Sequence, residues 1–464
     1  MGGVFGIVSN KDCVSDLFYG TDYHSHLGTR RGGLAVKNSE GYQRYIKDIT
    51  TAQFRSKFES EIENMHGNKG IGVISDYDDQ PLLINSHLGV FGIVTVGKIN
   101  NLDTLAEEAL EKGGHFSEMH GGEINPTEMV AKLISQGDNF KDGIKQAQEK
   151  IEGSCTMLIL TDEGIYASRD KLGRTPLIIG QKFGAYSITM ETCAYPPLGY
   201  EIKKFLGPGE VVFIDKNGLE EVLPPREKMQ ICAFLWVYYG YPASSYEDIN
   251  VEDVRYRCGS HLAKNDEVKI DLVAGIPDSG IAHGLGYSHE VDAPFARPFV
   301  KYTPTWARSF MPTEQSKREH IAKMKLIPIK DLIKGKHLLL CEDSIVRGTQ
   351  LKKTIKRLHN SGAKGIHMRP ACPPLLFSCK YLNFSQSRSE LELASRRAIR
   401  KLNGEDVEDI YKYTDPNSKD YNEMVNLIRK ELGLDTLKYQ KLEDLIKAIG
   451  LPKSKLCTYC WDGK

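Results

Sequence analysis

The run LLLCEDSIVRGTQ, residues 338–350, decides how the second half of the chain is read. Leu338, Leu339 and Leu340 are too apolar for an edge strand and read as a central strand of a buried parallel sheet. Glu342 and Asp343 follow at its C-terminal end, and a Ser/Gly/Thr loop then leads into a lysine-rich helix. In an open α/β sheet, ligands bind at that end of the strands. The backbone N–H groups of Ser344, Ile345, Val346, Arg347, Gly348 and Thr349 stand at a helix start and suit a phosphate. The acidic pair suits the vicinal hydroxyls of a ribose. It also suits Mg2+, which prefers oxygen ligands. The plain alternative is a capped helix preceded by two surface acids; strand, acids and loop in one run favour a ligand site.

Upstream, AGIPDSGIAHGLG (274–286) has the same strand–loop–helix order, with Asp278, Ser279 and Gly280 at a helix N-terminus. Two such loops at two strand ends suggest two phosphate groups, and a 5-phosphate and a pyrophosphate on one ribose would fit. Strands alternating with helices imply a parallel sheet with crossovers.

The first half has another rhythm. KGIGVIS, LLINSHLGVFGIVTVG, CTMLILTDEGIYASRD and AYSITM are short alternating runs broken by Gly and Asp, and they read as strands. NLDTLAEEALEK and PTEMVAKLISQ carry apolar residues at helical spacing. GPGEVVFIDKNGLEEV reads as a hairpin turning at Asn217 and Gly218. The change of rhythm places a boundary near residue 230. From about residue 385 onward the chain is helical and charged, and it ends in a Cys pair.

Bulk composition narrows the function classes. Of 464 residues, 40% are hydrophobic and 26% charged, as in an ordinary water-soluble protein. Lys plus Arg equals Asp plus Glu, 61 each, so no global charge draws the chain to nucleic acid or to a membrane surface. The longest apolar run, ICAFLWVYYGY, is too short for a bilayer span. The ten cysteines, with no secretion signal ahead of them, are expected as thiols of a reducing, cytoplasmic compartment. No internal repeat or low-complexity tract interrupts the chain.

The run 338–350 resembles the PRPP motif of type I phosphoribosyltransferases. With GIPDSG it resembles the glutamine PRPP amidotransferase (amidophosphoribosyltransferase) family, whose members catalyse the first committed step of purine synthesis. The resemblance covers nearly the whole chain. RDKLGRTPLIIG from Arg169, METCAY from Met190 and GPGEVV from Gly207 are similar to that family's N-terminal domain. RSFMPTEQSKREHIAKMKL resembles the loop that closes over PRPP, with Arg308, Gln315, Arg318 and Lys325 at matching places. The resemblance implies Mg2+ held by Ser279, Glu342 and Asp343, although the family usually has Asp-Asp where this chain has Glu342-Asp343. It also implies a fold of mixed α/β and α+β type. An N-terminal nucleophile (Ntn) hydrolase-type four-layer αββα domain, 1–230, precedes a parallel-sheet phosphoribosyltransferase domain, 231–385, and a C-terminal helical segment, 386–464. A homo-oligomer and feedback nucleotides are expected on the same ground.

Many members carry a [4Fe-4S] cluster on four cysteines. The matching positions here are Cys232 in ICAFLWVYYGYP, read as a strand, Cys379 in PPLLFSCKYLNF, and Cys457 and Cys460 in CTYCWDGK. Zinc on the same ligands is the alternative.

The family's first domain normally begins Met-Cys-Gly, and the cysteine, freed at its amine, attacks the glutamine amide. This chain begins MGGVFGI, with Gly2 at that position and no nucleophile. Three further positions of the glutamine pocket differ. Ser75 in GVISDYD stands where the carboxylate-binding arginine is expected. Val96 in TVGK replaces the oxyanion-hole asparagine, leaving Gly97, and Pro126 in NPTE replaces the aspartate for the amine. The expectation is a degenerate glutaminase domain joined to a transferase that makes phosphoribosylamine from PRPP and ammonia. Transfer to another amine, or a non-catalytic PRPP or nucleotide sensor, are the alternatives.

Overall fold

The structure, a computed structural model, describes residues 2–111, 113–120, 122–264, 266–301, 326–382, 390–404, 407 and 409–464. The chain forms two compact units. The first comprises residues 1–232 and 243–248 with a short piece that follows Cys379. The second holds 233–242, 249–379 and the C-terminal remainder.

The first unit is built on two antiparallel sheets. Seven strands lie in the order Glu201–Phe205, Ile178–Lys182, Ala185–Thr189, Gly2–Ser9, Lys69–Ser75, Arg31–Asn38 and Gly41–Asp48. Six form the other sheet: Leu219–Leu223, Val211–Ile214, Ile165–Ser168, Gly153–Leu160, Gly89–Ile99 and Leu82–Ser86. Alternation along the strands divides the core. Phe5 and Ile7 pack with Leu17, Phe18, Phe54 and Phe58 of helices Val14–Asp22 and Phe54–Ile62. Gly6, on the other face of that strand, lies where a Cβ would touch Ile188 and, across the sandwich, Leu158. On the far side, Phe91, Ile93, Met157 and Ile159 pack against Leu105, Val130, Leu133 and Ile144 of three more helices. Each such side chain removed from water contributes roughly 1.5–3 kcal/mol. This is the expected helix–sheet–sheet–helix layering, and the strands, helices and Asn217–Gly218 hairpin read from the first half all form.

The second unit is a four-stranded parallel sheet in the order Leu272–Gly275, His337–Glu342, Gly365–Pro370, Thr436–Leu437. The leucine strand is central, and Leu338, Leu339 and Leu340 are wholly buried. Helices Ile281–Glu290 and Thr349–Asn360 follow its first two strands.

Within 386–464, Thr436–Leu437 adds a strand to the parallel sheet, and Ala398, Met424 and Ile428 share one core with Leu338 and Leu340. One expectation needs correcting. ICAFLWVYYGYP is extended only at Ile231–Cys232, and Leu235–Tyr239 forms a wide helical turn closed by the Gly240 N–H on the Leu235 carbonyl at 2.7 Å. That turn is fixed from outside. The Trp236 Nε1–H donates to Ile249, and the buried Arg255 guanidinium donates to the carbonyls of Trp236, Tyr238 and Gly240. A fixed cation on three carbonyls outweighs the β-propensity of the run.

Candidate active site

The site lies at the C-terminal ends of the two adjacent strands Leu272–Gly275 and His337–Glu342. The loops that leave them touch backbone to backbone. Ile276 N–H donates to the Cys341 carbonyl at 2.9 Å. A Cβ at Gly280 would lie 2.4 Å from that same oxygen, and one at Gly275 would lie 2.3 Å from the Gly280 carbonyl. Glycine at both positions is therefore a condition of the two loops meeting.

Asp343 is 6% exposed, and both of its carboxylate oxygens are engaged. Oδ2 accepts from the Ser279 hydroxyl and Oδ1 from the Ser344 hydroxyl, each at 2.5 Å. The two loops that the sequence pointed to are thus joined through one carboxylate. Glu342 is half-buried beside it. Burial, and then the neighbouring Asp343 carboxylate, hold the Glu342 carboxyl well above the usual carboxylate range. A cation or a pair of hydroxyl donors at this point would offset that repulsion. Two carboxylates and a serine hydroxyl form a hard, all-oxygen donor set of the kind Mg2+ takes.

Downstream, Gly348 takes φ +72°, the left-handed conformation that opens helix Thr349–Asn360. The first helical turn leaves its N–H groups without partners along the helix, which suits an anion. Within this loop Ile345 is turned into the core, so its contribution is through the backbone. Asp278 does not join the acidic pair; it meets Lys301 Nζ at 2.6 Å on the surface. The strand Phe299–Lys301 pairs antiparallel with Leu326–Pro328. Arg308, Gln315, Arg318 and Lys325 lie outside the described residues.

Sequence reasoning missed what holds the loop 344–349 from behind. Ala394 N–H donates to the Val346 carbonyl at 2.8 Å, and Arg397 donates to the carbonyls of Arg347 at 2.5 Å and Glu392 at 2.6 Å. Arg347 itself pairs with Glu392. The arginine-rich stretch ASRRAIRK was the available signal, but nothing local says where such a helix docks.

In the first unit, the four positions expected to differ from a glutamine pocket fall in one neighbourhood. Gly2 is directly opposite Ser75 in the sheet register. A Cβ at Gly2 would lie 2.3 Å from the Ile74 carbonyl, and one at Gly3 would meet the buried His24 ring. Ser75 Oγ accepts from Tyr77 N–H at 3.1 Å and so caps a turn. Gln80 brackets Thr95, the neighbour of Val96, and Thr95 Oγ1 contacts Thr127 Oγ1 at 2.6 Å, one residue beyond Pro126. Gly97 (φ +149°) lies against the Ser154 carbonyl.

The motif residues Arg169 and Glu191 have other work. Glu191, 1% exposed, accepts from Tyr246 OH at 2.7 Å and from Ser244, and meets His26 Nε2 at 3.2 Å. Buried Arg169 meets Glu247 at 2.8 Å and donates to the carbonyls of Gly173, Thr175 and Leu206. Both thereby grip the return segment 243–248. Near Glu191, burial pushes the His24 imidazole down to about 4.

A four-layer sandwich of the Ntn type and a parallel-sheet unit with a glycine-bearing loop after an acidic pair define the class: an amidotransferase with a phosphoribosyltransferase-type unit. Comparisons with known proteins agree. A glutamine amidotransferase domain model matches residues 68–191. The amidophosphoribosyltransferase of Staphylococcus aureus (strain MRSA252) is 31% identical, over 99% of this chain and 90% of the relative. That of Methanocaldococcus jannaschii is 29% identical, over 100% and 97%. The solved glutamine PRPP amidotransferase of Bacillus subtilis, a complex with ADP and GMP, superposes with a TM-score of 0.84 at 26% identity, over 100% of this chain and 96% of that one. The chain belongs to the amidophosphoribosyltransferase family. Among the described residues no helix is long and apolar enough to cross a membrane.

Proposed function

We propose that the second unit binds PRPP and transfers its phosphoribosyl group to ammonia, forming phosphoribosylamine for purine synthesis and releasing pyrophosphate. The carrying observation is the Asp343 carboxylate that joins Ser279 and Ser344 across two strand ends. In this reading the loop 344–349 holds the 5-phosphate through backbone N–H groups, and Glu342 with Asp343 accept from the ribose hydroxyls. The Asp278–Gly280 loop, at the start of helix Ile281–Glu290, orients the pyrophosphate. Mg2+ on Ser279, Glu342 and Asp343 would neutralise the leaving group when bound.

The first unit is read as unable to hydrolyse glutamine. A residue without a side chain at the head of the central strand supplies no nucleophile, and Ser75, Val96 and Pro126 supply none of the three binding groups. Ammonia, or another small amine, is then the acceptor. Pyrophosphate release from PRPP and Mg2+, measured in parallel with ammonium chloride and with glutamine, tests both halves. Release with ammonia alone is expected. Release with glutamine overturns the reading of Gly2, and silence with both points to another amine or to a sensor.

Cys232, Cys379, Cys457 and Cys460 are further proposed to take a [4Fe-4S] cluster, with zinc the alternative occupant. The donor chemistry suits either. In the second unit, Leu376 and Phe377, just before Cys379, donate to the Cys460 carbonyl, and Ala233, which follows Cys232, donates to that of Cys457. Among the described residues, however, no three His, Cys, Asp or Glu side chains stand ready grouped to hold a metal. Metal analysis of anaerobically purified protein decides: about four irons per chain with acid-labile sulfide is the expected result. One zinc supports the alternative, and neither metal removes the proposal.

A further inference from the structure

Three successive peptide planes of the loop 344–349 are held by their carbonyls. The Ala394 N–H donates to the Val346 carbonyl at 2.8 Å, Arg397 to the Arg347 carbonyl at 2.5 Å, and the Lys352 N–H to the Gly348 carbonyl at 2.9 Å. These peptides are trans, so each is planar with its C=O and its N–H pointing in opposite directions. Fixing the carbonyls of Val346, Arg347 and Gly348 therefore aims the next N–H in each plane, those of Arg347, Gly348 and Thr349. None of these three N–H groups has an acceptor among the described residues. Successive N–H groups in a segment that passes through a left-handed residue, Gly348 at φ +72°, make a concavity for an anion.

Two of the three anchors are main-chain groups, present whatever the side chains are. Arg397 is the only side chain among them. It stands on helix Ala394–Asn403, which Ala394, Ala398 and Ile399 root in the core. A second nitrogen of its guanidinium donates to the Glu392 carbonyl at 2.6 Å, and the Glu392 carboxylate pairs with Arg347. One planar fork thus spans two carbonyls 45 residues apart, which the point donor of a lysine does not do. A charged donor at the oxygen end of an amide also makes its N–H end more positive. We propose that Arg397 is a positioning residue for the phosphoribosyl group, aiming the Gly348 N–H at the 5-phosphate without touching it. This rests on the reading of the loop 344–349 as the holder of that phosphate. The 5-phosphate takes no part in the bond changes, so the contribution of Arg397 is shared by substrate and transition state and enters KM rather than kcat.

The test is calorimetric titration of the full-length protein with ribose 5-phosphate and, separately, with pyrophosphate. Arg397→Ala should weaken ribose 5-phosphate by about tenfold, the worth of one or two hydrogen bonds, and leave pyrophosphate within about twofold. Arg397→Lys, which keeps the charge but not the fork, should lose about threefold. In the pyrophosphate-release assay the KM for PRPP should rise in step while kcat holds. Gly348→Val forces a side chain into the left-handed position and tests the loop reading by itself; it should abolish ribose 5-phosphate binding. Unchanged ribose 5-phosphate affinity in both Arg397 variants, with binding lost in Gly348→Val, overturns the proposal and leaves the loop reading standing. Equal weakening of both ligands, or a fall in kcat at constant KM, makes Arg397 a general support of the fold and overturns the proposal too. Ribose 5-phosphate binding untouched by Gly348→Val overturns the loop reading, and the proposal with it.

Discussion

Asp343→Asn is expected to lower PRPP-dependent pyrophosphate release by about a thousandfold, roughly 4 kcal/mol in the barrier, with the far-UV circular dichroism unchanged. The substitution keeps the volume and one acceptor oxygen. It removes the negative charge and turns one oxygen, now facing the hydroxyl of Ser279 or Ser344, into an amide donor. The two loops are then no longer drawn to one carboxylate, and a cation between the strand ends has only Glu342. Steady-state rates against PRPP and Mg2+ measure the effect. Glu423→Gln is the control, because that carboxylate meets Lys419 at the surface, where a pair contributes little. A loss below tenfold at Asp343, or equal losses at the two positions, would remove the acidic pair from the centre of the site.

The second large effect is on stability. Glu191→Ala should destabilise the first unit by about 3–5 kcal/mol, read as a lower urea midpoint for its unfolding transition. The carboxylate is buried and held by Ser244, Tyr246 and His26; truncation leaves two hydroxyls and an imidazole facing a void. Glu191→Gln, which retains most of the volume and an acceptor, should lose about half as much or less. Equal losses in the two variants would mean that the charge, not the geometry, does the holding.

These residues also show what the sequence could and could not reveal. The leucine strand, the acidic pair and the glycine-bearing loop were legible because they lie within thirteen consecutive residues whose spacing is their meaning. The strands of the first unit were legible because short alternating runs repeat along it, while their stacking as a sandwich was implied by the family resemblance alone. What stayed hidden depends on long-range contact. Arg397 reaches a carbonyl 50 residues away, and Glu191 binds hydroxyls 53 and 55 residues later. The helical turn at Leu235–Tyr239 was misread as a strand because Arg255, which imposes it, comes after it in the chain. The strand Thr436–Leu437 is two residues long and too brief for any periodicity.

The grip of Glu191 and Arg169 on residues 243–248 bears on how such a chain can change over generations. The first unit is not a contiguous stretch of gene: its second piece begins eleven codons after residue 232, inside the coding sequence of the second unit. A deletion that removes the first unit leaves 243–248 with Ser244, Tyr246 and Glu247 shorn of their partners. A transplant of residues 1–232 alone carries a buried carboxylate and a buried guanidinium with nothing to answer them. A domain sewn in this way is not removed by a single excision.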